Sequence, residues 1–189
     1  MRRPWVVATF SALALALLTR ETPLPLPFLD AAASAEAGAA CPANAKPANL
    51  NFTLKDMNNR DVRLSDLKGK VILLDFWATW CAPCKVEIPW FVEFQQKYKS
   101  AGLQVVGVSV DDTVDKLQPY VAKFKMNYPV LQGLMHDDIQ DAYGPMWAIP
   151  VTALISRDGK VCAKHQGMSP KDAFENEIKA LLSEGRSPA

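Results

Sequence analysis

The apolar and polar positions change rhythm along the chain, and each change marks an element. "NFTLKDMNNRDVRLSDLKGK" (51–70) alternates apolar with polar residues on both sides of Asn58-Asn59, which predicts a β-hairpin turning there. "VILLDF", Val71 to Phe76, is apolar except for Asp75, as a central strand covered on both faces requires. From Cys81 to about Lys99 the spacing becomes helical, with Ile88, Phe91 and Val92 on one face and Pro89 expected to kink the helix. "LQVVGVSVDD" predicts a second buried strand. Helical spacing returns from Thr113 to Lys125 at Leu117, Val121 and Phe124, where Pro119 either starts the helix or bends it. "YPVLQ" reads as a short strand and "DDIQDAYG" as a short helix stopped by Gly144. "VTALIS" and "KVCAKH" flank "RDG" as a second hairpin. "SPKDAFENEIKALLSEG" closes the domain as a helix, with Ser169 as cap, Pro170 in the first position and Phe174, Ile178, Leu181 and Leu182 facing inward. Alternating strands and helices imply an α/β sheet with helices on both faces.

The first forty residues follow a different pattern. A basic start, "MRRPW", precedes a thirteen-residue apolar run from Val6 to Leu18, and small residues gather at "DAAASAEAGAA". This is the layout of a secretory signal peptide with cuts expected after Ala33, Ala35 or Ala37. The intervening "TRETPLPLPFLD" lengthens the gap to the cut, so an uncleaved membrane anchor is the rival, although thirteen residues fall short of a full span. Cys41 lacks the large aliphatic residue three positions ahead that a lipoprotein signal needs. Residues 1–37 are therefore read as signal peptide or N-terminal anchor, 38–48 as a Pro/Ala linker, 49–185 as the folded domain and 186–189 as a tail. Export to the periplasm or cell envelope follows from either reading. At 189 residues and 49% apolar, the chain supports one well-cored domain, and a net charge of +1 gives no basic field for nucleic acid.

The chemistry concentrates in "WATWCAPCKVEIP", Trp77 to Pro89, just after the first buried strand. A thiol must ionise to act as a nucleophile, and a helix N-terminus stabilises thiolate through free N–H groups and the dipole. Cys81 at that terminus is the expected exposed attacker. Cys84, one turn inside, lies within bonding reach and resolves. Zinc is disfavoured because no second cysteine or histidine pair has the spacing, and His136 and His165 stand isolated and are assigned nothing. A permanent staple rarely runs straight from a buried strand into a helix start, so redox chemistry is the favoured reading. Cys41 and Cys162 remain. An even count in an exported chain favours a second, structural disulfide across 121 residues; the alternative is a buried free Cys162 with Cys41 unpaired.

"VILLDFWATWCAPCKVEIP" resembles the active-site segment of the thioredoxin superfamily, with similarity over about 48–184. The chain is most similar to the exported TlpA/ResA/CcmG-like thiol–disulfide reductases. The early hairpin carries that narrower likeness, as do the 69-residue gap from Cys81 to Pro150 and Glu87, three residues after Cys84. The resemblance implies a thioredoxin fold with a mixed central sheet, an N-terminal β-hairpin and a helix–strand insertion at Thr113 to Leu131. It implies no cofactor and no metal. It places the family's cis-proline at Pro150, where an extended peptide would lend backbone groups to a substrate strand. It also implies protein disulfide substrates, such as haem-binding cysteines of apocytochrome c or copper-site cysteines of a terminal oxidase, and recharging by a membrane reductase of the DsbD/CcdA type.

Asp75 falls where thioredoxin has a buried aspartate, while Gly107 stands where thioredoxin places its lysine partner. Asp75 is therefore expected to lean on Glu87 or on water, and burial disfavours its charged form. Both acids are candidates for handling the proton of Cys84. Trp80, Trp147 and Ile149 are candidates for substrate docking, and Trp77 for core packing. A copper chaperone using the same thiols would need a third donor that the sequence does not identify. A thiol peroxidase lacks support because "DFWATWC" does not carry the proline-and-threonine pattern expected ahead of a peroxidatic cysteine.

Overall fold

The computed structural model describes residues 41–184. The signal or anchor reading of 1–37 and the tail at 186–189 lie outside the described residues. A hairpin of β1 (Thr53–Lys55) and β2 (Asp61–Arg63) precedes the main sheet, which contains β3 (Val71–Trp77), β4 (Leu103–Ser109), β5 (Val130–Gln132), β6 (Val151–Ile155) and β7 (Val161–Gln166). Its order is β5-β4-β3-β6-β7. β3, β4 and β5 run parallel, while β6 and β7 run antiparallel to their neighbours, so the sheet is mixed. The helices are α1 (Ala82–Tyr98), α2 (Val114–Phe124), α3 (Asp137–Tyr143) and α4 (Lys171–Ser183).

Strand alternation divides the core in two. Val71, Leu73, Trp77, Val105 and Leu154 meet Ile88, Phe91 and Phe94 of α1, Leu117 of α2, and Phe174, Ile178 and Leu181 of α4. Ile72, Leu74, Phe76, Val106 and Ala153 turn to the other side, against Leu54, Leu64, Ile139 and Tyr143. All seven residues of β3 are buried, as its unbroken apolar run requires.

Several local expectations are refined. Pro119 lies inside α2 rather than at its start. Ser169 does not cap α4: Pro170, with an extended ψ of 143°, occupies the cap position, and Lys171 is the first helical residue. Ser169, ahead of the proline, spends its N–H on Glu87 instead. The segment read as a linker is docked from Cys41 onward. Ala48 N–H donates to the Gly159 carbonyl, Val161 N–H donates to that of Lys46, and Pro47 bridges to Lys160. Cys41 and Cys162 are joined by a disulfide with their Cα atoms 4.6 Å apart.

Candidate active site

β3 ends beneath the site, and the chain turns through Ala78, Thr79 and Trp80 into α1. Cys81 is the helix cap: its extended backbone (φ −70°, ψ 108°) lets the Sγ accept from the Cys84 N–H at 3.2 Å. Pro83 sits in the first turn, where no N–H is needed. Cys81 and Cys84 form a disulfide, with Cα atoms 5.3 Å apart. The expectation of an exposed attacker is corrected, because Cys81 is 3% exposed and Cys84 1%. The loop before β6 lies against the outer sulfur, with the Ile149 carbonyl 3.7 Å from Cys81 Sγ. Position at the helix terminus, not exposure, distinguishes the two thiols. The Ile149–Pro150 peptide is cis, and the Pro150 carbonyl accepts from the Gly167 N–H at 2.8 Å. Ile149 is half-buried; Trp80 and Trp147 stand out, 62% and 80% exposed.

Asp75 and Glu87 are each 1% exposed, on β3 and on the inward face of α1. Asp75 Oδ1 accepts from the Thr152 hydroxyl at 3.2 Å, so its bonded partner is neither Glu87 nor lysine. Burial first, and then the charge of Glu87, hold the Asp75 carboxyl well above the carboxylate range against the pull of Thr152. Glu87 Oε1 accepts from the Ser169 N–H at 3.0 Å, while Oε2 has no protein partner among the described residues. Burial pushes Glu87 up to about 7, opposed by that N–H and by nearby His165. The two acids are electrically coupled, with Glu87 at about 7 and Asp75 held well above the usual carboxylate range, which suits proton traffic beneath thiols. Gly107, opposite Asp75 in β4, has no room for lysine: a Cβ there would lie 2.9 Å from Trp77 Nε1. The buried indole of Trp77 takes that space.

Three residues at the site escaped the sequence reading. Asp112, 2% exposed, accepts from the Thr79 N–H and hydroxyl, each at 2.6 Å, and from Ser109 Oγ at 3.1 Å. Asp111 receives the Trp80 indole N–H on both carboxylate oxygens at 3.0 Å. The only sequence signal was an acidic pair closing a buried strand. His165, given no role from sequence, bonds Ser169 and Glu177. For the copper reading, no cluster of three or more metal-binding side chains occurs among the described residues.

A mixed sheet, a cysteine pair capping α1 and a facing cis-proline define a thioredoxin-fold oxidoreductase. The AhpC/TSA family model matches residues 45–164, and the chain belongs to that family, within the thioredoxin superfamily. It is 32% identical over 131 residues to the thiol-disulfide oxidoreductase ResA of Bacillus thuringiensis, covering 69% of this chain and 75% of that one. Two crystal structures from Chlorobium tepidum superpose on it. One, assigned to a thiol:disulfide interchange protein DsbE, has a TM-score of 0.66 at 34% identity, covering 74% of this chain and 99% of the other. The second, a thiol:disulfide interchange protein of the thioredoxin family, gives 0.68 at 28% identity over 75% and 99%. The protein is a thioredoxin-like thiol–disulfide oxidoreductase.

Proposed function

We propose that the protein is an exported reductant of protein disulfides, with Cys81 as nucleophile, Cys84 as resolver, and Asp75 and Glu87 as the groups that take and return the proton of Cys84. The observation that carries this reading is the burial of two coupled carboxyls beside a Cys81–Cys84 pair that caps a helix. The Cys81 thiolate attacks one sulfur of a substrate disulfide, forms a mixed disulfide and expels the other sulfur as thiolate. Cys84, deprotonated, then attacks Cys81 Sγ. The second substrate thiol leaves, and Cys81–Cys84 is oxidised as the substrate gains two electrons and two protons. A membrane dithiol donor of the DsbD/CcdA type would return the pair to its reduced state. Ile149, beside the cis-Pro150 peptide and Cys81, offers backbone to an extended client segment. Exposed Trp80 and Trp147 supply apolar anchors. The clients that the family resemblance implies are the haem-binding cysteines of apocytochrome c or the copper-site cysteines of a terminal oxidase. The Cys41–Cys162 bridge is structural, and the basic, apolar start of the chain directs export or anchors it.

Two measurements test this. Cys84→Ala should accumulate mixed disulfides with client proteins in an exporting host rich in cytochrome c; an absence of adducts would remove the protein-substrate reading. "CAPC" places no cation between the cysteines, so the potential should lie nearer about −270 mV than about −120 mV. A value above about −160 mV, on the same scale, would make the protein a disulfide donor.

A further inference from the structure

His165 belongs to β7, two strands from Asp75, yet it shares a face with both acids. The register pairs Asp75 with Thr152 and Thr152 with His165, so the three lie in one row across the sheet. The ring is fixed at both nitrogens: Nε2 lies 2.7 Å from Glu177 Oε2 on α4, and Nδ1 lies 2.9 Å from Ser169 Oγ. Phe174 packs against it with ring centroids 4.7 Å apart. The next link is the peptide of Ser169, whose N–H holds Glu87 Oε1. A carboxylate only accepts, so Nε2 carries a hydrogen. Nδ1 faces a hydroxyl that either donates or accepts.

We propose that His165 is a positioning residue for Glu87: clamped by Glu177, it fixes the Ser169 peptide that holds the carboxyl and sets the local charge that decides when Glu87 ionises. The titratable groups tied to it are Glu177 from α4, bonded at Nε2, and Glu87 from α1, while Asp75 on β3 lies further along the same row, two strands away. His165 lowers the Glu87 carboxyl electrostatically, the direction in which a cationic neighbour favours carboxylate. Glu177, whose side chain is 35% exposed, links this buried arrangement to solvent. The proposal rests on the reading that Glu87 serves Cys84.

Carbon-13 NMR of the Glu87 carboxyl in the oxidised protein tests it without relying on turnover. His165→Gln keeps hydrogen-bonding capacity and removes the charge, so the Glu87 midpoint should move upward by roughly half a unit or more, about threefold in proton affinity. In reduced protein, the pH of half-maximal mixed-disulfide resolution should move the same way. A Glu87 midpoint unmoved by His165→Gln would overturn the proposal. Should that variant not fold, the wild-type ring decides: its nitrogen-15 shifts should inflect at the Glu87 midpoint and lose that inflection in Glu87→Gln. Ring shifts indifferent to Glu87 would equally overturn it. Unchanged resolution in Glu87→Gln, with the coupling intact, would instead defeat the proton-transfer role of Glu87 and leave its charge coupling to His165 standing.

Discussion

Glu87 holds its proton longer in the folded protein than in the unfolded chain, and this difference is a stability term. A glutamate ordinarily at 4.5 stands at about 7 here, so between those values the native state binds a proton that the unfolded state has released. Stability contributed by the protonated form is therefore complete below about pH 4.5 and lost as pH rises to about 7, by roughly 3 kcal/mol. Urea melts of the oxidised protein from pH 5 to 8 should show this decline, and Glu87→Gln should make it shallower, leaving the part that the raised Asp75 carboxyl contributes. Asp75→Asn should raise the urea midpoint at pH 7, since asparagine can still accept from Thr152 without the cost of protonating a buried acid. The sequence made Asp75 visible because it interrupts an apolar strand. His165 was invisible because its meaning depends on register across two strand pairs, through an irregularity at Leu154/Ile155. Ser169 had the look of a cap, and only tertiary contact shows its N–H pledged to Glu87.

At the level of elements, the turn from β3 into α1 is fastened from the end of β4. Asp112 sits in that neighbouring strand's exit turn and receives both polar groups of Thr79, so β4 fixes where the helix cap can stand. Asp112→Ala would leave the Thr79 N–H and hydroxyl without their partner, a loss of about 2–4 kcal/mol. Chemical denaturation should read that loss, and stopped-flow formation of the mixed disulfide should slow because Cys81 loses its fixed position. The element order was legible from periodicity, since β3 and β4 are apolar runs and α4 carries a regular inward stripe. The bracing between elements was not, because a carboxylate at a strand end looks the same in sequence whether it meets water or a loop 33 residues away.

For the whole molecule, the Cys41–Cys162 bond closes a sequence separation of 121 residues, worth about 5 kcal/mol in the chain-entropy model. Cys41→Ser with Cys162→Ser should lower the melting midpoint while leaving the potential of the Cys81–Cys84 pair unchanged; calorimetry and redox titration check the two halves. The same strap bears on solubility. β5 and β7 are the rims of the main sheet, and each is partly occupied by a short piece of chain: Asp56 bridges to Leu131, and Pro47 bridges to Lys160. A rim left bare offers unpaired peptide groups to another molecule and invites edge-to-edge association. Cutting the strap frees the segment before β7 to peel away. The double serine variant should therefore self-associate with rising concentration in sedimentation velocity while the wild type keeps one sedimentation coefficient, so the outer disulfide guards the protein against its own copies.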